Sequence, residues 1–145
     1  MLKPHLSSGT SLFGDLDGLR KLPTSYMDSY SSLVPDLVVV SDTTIVIAEL
    51  TSPMEHNMNS WHEKKSTKYE GLRQNIAAMN PGKSVEVKAF EVGARGGVSN
   101  SLREFLVAVA CSRKVINEIC AAASSQAVQA SELIFKFRDS SSWIV

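Results

Sequence analysis

The chain reads as an α/β protein with a mixed β-sheet flanked by helices, and three features of the sequence predict it. Two β-branched runs, DLVVVS and TIVIAELT, are separated by a short polar step. A long helical segment follows, then a third strand-like run, SVEVKAFEVG, and another helical segment. Strands interleaved with helices of this length pack as layers around a sheet.

Residues 1–33 are rich in Ser, Gly, Pro and Asp with short apolar pieces, and read as a loosely structured lead-in with at most one short helix. Residues 34–145 form the core of one domain, a length that supports a single hydrophobic core. Within it, the step SDTT reads as a tight turn with Asp42 and Thr43 as a two-residue loop. That register sets Val40 opposite Ile45, Val38 opposite Ile47 and Asp36 opposite Glu49. The two acids become a cross-strand pair with Cβ atoms about 5 Å apart, and Thr51 shares their face. Carboxylates this close, in strands built for burial, repel unless a proton or a cation intervenes.

Pro53 ends the second strand. Asn57 or Asn59 caps a helix running to Met79, where NPGKS closes it. Its apolar stripe comprises Trp61, Tyr69, Leu72, Ile76 and Met79, and Lys65 falls in the middle of that stripe. The stem of Lys65 either lies along apolar surface with its ammonium in water, or it meets the acids. The third strand alternates through Val85, Val87 and Ala89 and runs into a Gly-rich turn, GARGG. Asn100 caps a helix through SLREFLVAVACSRKVINEICAAA, and SELIFKFRDSSSWIV is a last strand or a helix end.

Hydrophobic residues at 43% and charged residues at 21% are ordinary globular values and argue against a disordered or fibrous chain. No apolar run approaches the roughly 18 residues of a membrane span, and MLKPHLSSGTSLFGDL has no apolar segment leading to a small-residue cleavage site, so no secretion is expected. Two cysteines, Cys111 and Cys120, fit a reducing compartment and lack zinc-ligand spacing. Basic and acidic residues number 15 each. Bulk charge therefore gives no support for nonspecific nucleic-acid binding, and any polyanion must meet a local patch.

Pro35-Asp36 on one strand and Glu49-Leu50-Thr51 on the next resemble the PD-(D/E)xK nuclease signature. The longer string adds Pro53, Glu55, His62, Lys65, Lys68, Tyr69, Phe90, Val92, Gly93, Arg95 and Gly96. In that order it resembles the restriction-like endonuclease domain of non-LTR retrotransposons and related retroelement-like proteins, over residues 12–145. The resemblance implies a restriction-endonuclease-like core and Mg²⁺- or Mn²⁺-dependent hydrolysis of DNA phosphodiesters inside the cell, in the nucleus. Its partners would be the DNA backbone and other domains of a retroelement polyprotein. Asp36 and Glu49 would hold the metal, with Glu55 as an additional ligand, and hard oxygen donors suit these ions. Thr51 stands where the motif lysine belongs and brings no charge, and Lys65 offers the substitute. His62, Lys68 and Arg95 would contact DNA, Arg95 by its guanidinium fork. The alternative is a nuclease-fold module that lost catalysis with its motif lysine and binds nucleic acid or a protein partner.

Overall fold

The computed structural model describes residues 8–15, 18–26 and 33–138 of the 145-residue chain. Four strands form one mixed sheet in the order β1 (Ser11–Phe13), β2 (Leu37–Val40), β3 (Thr44–Thr51) and β4 (Ser84–Glu91). The first three are antiparallel neighbours, whereas β4 runs parallel to β3. A parallel pair requires a crossover, and the helices α1 (Met58–Lys68) and α2 (Glu70–Met79) supply it. Helices α3 (Asn100–Ala108) and α4 (Arg113–Phe137) follow β4.

The expected hairpin register holds: Val38 pairs with Ile47 and Val40 with Ile45. Ser41 closes the turn, its N–H donating to the Thr44 carbonyl at 2.9 Å and its hydroxyl accepting from the Thr44 N–H at 3.0 Å. Side-chain alternation then splits the apolar residues between two layers. Val38, Val40, Ile45, Ile47 and Val85 pack with Tyr69, Leu72 and Ile76. Leu37, Val39, Val46, Ala48 and Phe90 pack on the other face with Leu102, Phe105, Leu106, Ile116 and Cys120. Phe90 stacks on Phe105 with ring centroids 5.0 Å apart. Burial on both faces explains why these strands read as nearly continuous β-branched runs.

Several local expectations are corrected. The lead-in, expected to be loose or helical, contributes the edge strand β1, and Leu12, Phe13, Leu19 and Leu22 pack onto the two layers. Gly14 follows β1 because a Cβ there would lie 2.2 Å from the Asp36 carbonyl oxygen.

The single helix expected up to Met79 is broken at Tyr69 (φ −95°, ψ 1°). No residue of α1 is buried, whereas α2 buries Leu72 and Ile76, so the break falls where burial begins. Trp61 and Met79, assigned to the buried stripe, are exposed.

The helix after β4 is also two helices. Ala110 takes a left-handed φ of 62° and the Ser112 hydroxyl restarts the chain by accepting from the Val115 N–H. Ser99, not Asn100, occupies the N-cap position of α3. Of the two readings of the last run, the helix end holds, since Ser131–Phe137 continue α4. The remainder of that run, residues 139–145, lies outside the described residues.

Candidate active site

The hairpin register brings Asp36 opposite Glu49, one step beyond its last ladder pair, Leu37 with Ala48. Alternation from Val38 and Ile47 puts both acids on the sheet face that packs against α1 and α2. Their bonds are reciprocal. The Asp36 N–H donates to Glu49 Oε2 at 3.3 Å, and the Leu50 N–H donates to Asp36 Oδ2 at 2.9 Å. Glu49 is only 4% exposed. An ionised carboxylate at that depth requires compensation.

Lys65 supplies it. Its Nζ donates to Glu49 Oε1 at 2.6 Å, and Lys68 Nζ stands 4.0 Å from the same oxygen. Burial holds the Asp36 carboxyl above its ordinary range, the Leu50 N–H partly offsets this, and the charge of Glu49 adds to it. Tyr69 closes the inner side, with its hydroxyl donating to the Val34 carbonyl at 3.3 Å. Burial, followed by the hydrogen bond and charge of Glu49, holds that phenol well above its ordinary range.

Asp36, Glu49 and Lys65 therefore converge as the sequence suggests, with Lys68 at the rim. Thr51, two residues past Glu49, is close to them along the strand, yet its hydroxyl is enclosed and has no hydrogen-bond partner. Glu55 is engaged elsewhere. Its Oε1 accepts from the backbone N–H groups of Arg95 at 2.7 Å and Gly97 at 3.4 Å, which latches the GARGG turn. Burial acts upward on its carboxyl but is outweighed by the N–H groups of Glu55 itself, Arg95 and Gly97, so it lies below the usual carboxylate range. A Cβ at Gly93 would meet Glu55 Oε1 at 2.5 Å, so the latching side chain would have to shift. Arg95 occupies the exposed part of this turn.

His62 was assigned to DNA contact, and its Nδ1 lies 3.0 Å from Glu91 Oε1. Glu91 is the residue that sequence reasoning missed. It is 2% exposed and pairs with Thr51 in the parallel register, on the same face as Glu49. The signal was present, since the alternation Val85, Val87, Ala89 continues to position 91.

Among the described residues, no group of three or more His, Cys, Asp or Glu side chains could hold a metal ion. The Asp36–Glu49 pair nonetheless fits a hard divalent cation in donor chemistry. Its oxygens are carboxylates, and the raised proton affinity of Asp36 reflects burial together with negative charge that a cation would relieve. Mg²⁺ is ordinarily held by one or two carboxylates, with water and substrate phosphate completing its shell. No helix among the described residues is long and apolar enough to cross a membrane. No family model matches the chain, and comparison with curated proteins finds no match.

Proposed function

We propose that the chain is a divalent-metal-dependent DNA endonuclease domain with a restriction-endonuclease-like core, of retroelement origin, acting in the nucleus. The observation that carries this reading is the 2.6 Å contact of Lys65 with Glu49 beside Asp36. It puts an ammonium and two carboxylates at one point of the sheet although the residue at the motif lysine position is Thr51. Asp36 and Glu49 would hold Mg²⁺ or Mn²⁺, which when bound polarises the scissile phosphate and makes water more acidic.

Lys65 stabilises the charge that develops on the phosphate oxygens, a role that requires a fixed cation in a water-poor setting. Lys68 and Arg95 hold flanking backbone phosphates. Helix α1 suits a polyanion: it carries Lys64, Lys65 and Lys68 and buries no residue, and Lys64 Nζ lies 5.0 Å from the ring centre of the exposed Trp61. A neutral chain thereby concentrates basic groups on one helix. Hydrolysis would leave a 5′-phosphate.

A second reading is favoured by one observation. The hydroxyl of Thr51 is enclosed and unpartnered where the motif places its working lysine. On that reading the fold persists as a module that binds nucleic acid or a protein, without cleavage. Nicking of supercoiled plasmid in Mg²⁺ or Mn²⁺, with Asp36→Ala and Glu49→Ala as controls, separates the two. Cleavage that needs the cation and both acids supports the nuclease. Binding without any nicking supports the module, and cleavage that survives both substitutions refutes the assigned site.

A further inference from the structure

Glu91, 2% exposed, lies deeper than either proposed metal ligand and pairs with His62 and Ser101. An acid at 2% exposure is costly unless donors face it. Two do: His62 Nδ1 lies 3.0 Å from Oε1, and the Ser101 hydroxyl donates to Oε2 at 3.2 Å. Ser99 completes the arrangement. Although it occupies the N-cap position of α3, its hydroxyl makes no cap bond; it accepts from the Glu91 N–H at 3.0 Å and meets the Ser101 hydroxyl at 2.7 Å. In the neutral ring with Nδ1 donating to this carboxylate, Nε2 of the half-exposed side chain is left as an acceptor.

The parallel register pairs Glu49 with Ala89 and Thr51 with Glu91. On α1, His62 precedes Lys65 by three residues, a spacing that sets Cβ atoms about 5–6 Å apart on one helix face. Two helix-to-sheet contacts, Lys65 to Glu49 and His62 to Glu91, thus run side by side. The unpartnered Thr51 hydroxyl belongs to the same row. His62 contacts Glu91 of β4, Lys65 one turn further along α1 contacts Glu49 of β3, and Ser101 of α3 donates to Glu91. Glu55, in the segment before α1, is committed to the turn at 95–97. A strut between α1 and β4 needs only a donor at position 62. A half-exposed ring with one nitrogen held by a buried acid suits proton transfer through the other.

We propose that His62 is the base that deprotonates the attacking water, with Glu91 as the positioning residue that fixes its tautomer and orientation. This rests on the nuclease reading. Nε2 takes one proton from water as the water oxygen bonds to phosphorus and the P–O3′ bond breaks. The departing O3′ takes a proton from solvent, and the imidazolium returns its proton to solvent.

The test is single-turnover and steady-state cleavage of a DNA duplex by the full chain in Mg²⁺, with DNA affinity followed by fluorescence anisotropy. His62→Ala is expected to lower kcat about 100-fold at unchanged DNA affinity, with imidazole in the buffer restoring part of the rate. His62→Gln keeps a donor for Glu91 and the fold, and should be as slow as His62→Ala. Glu91→Gln should lower kcat on the order of tenfold at constant KM. Full activity in His62→Gln overturns the proposal, as does weakened DNA binding with kcat retained. Cleavage that needs Asp36 but not His62 refutes this inference alone, whereas wild-type protein without divalent-dependent cleavage refutes the nuclease reading along with it.

Discussion

Lys65 of α1 and Glu49 of β3, sixteen residues apart in sequence, meet at 2.6 Å at the open end of the hairpin that carries Asp36. The carboxylate is nearly excluded from water, and the lysine keeps about a fifth of its side chain exposed. The contact answers both oddities of the sequence at once: an acid in an apolar strand and a lysine in the stripe of a helix.

Replacing Lys65 by Met strands a buried charge. The expected loss is about 2–3 kcal/mol, below the range for fully buried pairs because Lys65 retains some contact with water. Adding Glu49→Gln to Lys65→Met should recover part of that loss, since no unpaired charge remains. Urea denaturation of the two single variants and the double variant measures the coupling, and strictly additive losses would show that the pair is not compensating.

Asp36 gives a pH-dependent signature. Its proton affinity in the folded chain is raised above the ordinary value of 3.8, by burial first and Glu49 next. A raised carboxyl contributes full stability below that ordinary value and loses it as pH rises through the folded-state value. Asp36→Asn should therefore raise the melting temperature at pH 7 without metal, on the order of 2 °C, with the gain shrinking toward pH 4. Thermal melts across that range measure it, and a gain that grows on acidification would contradict the assigned cause.

Much of this geometry was legible because it is local. The two-residue turn fixed the register, and the register fixed Asp36 against Glu49. The period of the helix put Lys65 toward the sheet despite the break at Tyr69, since that break comes after Lys65. What escaped was nonlocal. The depth of Glu91 depends on the parallel register of β4 against β3, which the crossover sets, and on hydroxyls from the start of α3. The strand β1 was hidden in Ser- and Gly-rich sequence because three residues against an edge carry little pattern. The engagement of Glu55 was equally invisible, because the backbone N–H groups that hold it lie forty residues away.

Glu55→Ala separates a latch from a metal ligand. Loss of the latch should lower the melting temperature while leaving the Mn²⁺-induced rise in melting temperature intact. A rise that disappears in Glu55→Ala would return this residue to the metal site.

The turn that presents Arg95 also docks on α4, where the Ser124 hydroxyl donates to the Gly96 carbonyl at 2.8 Å. Gly96 has φ +90°, and a Cβ would lie 2.8 Å from Ser124 Oγ and 3.0 Å from Val128 Cγ2. Gly96→Ala should cost about 1–3 kcal/mol from backbone strain and the clash together. It should weaken DNA binding if Arg95 holds phosphate, and denaturant melts with anisotropy on the same sample measure both effects.

Calorimetric titration of Mn²⁺ into the wild-type chain, Asp36→Asn and Glu49→Gln asks whether the carboxylate pair is a cation site. Saturable binding by the wild type that weakens about tenfold or more in each variant is expected, since each removes one of two charged ligands. Equal affinity in all three proteins, or no binding by the wild type, would contradict it.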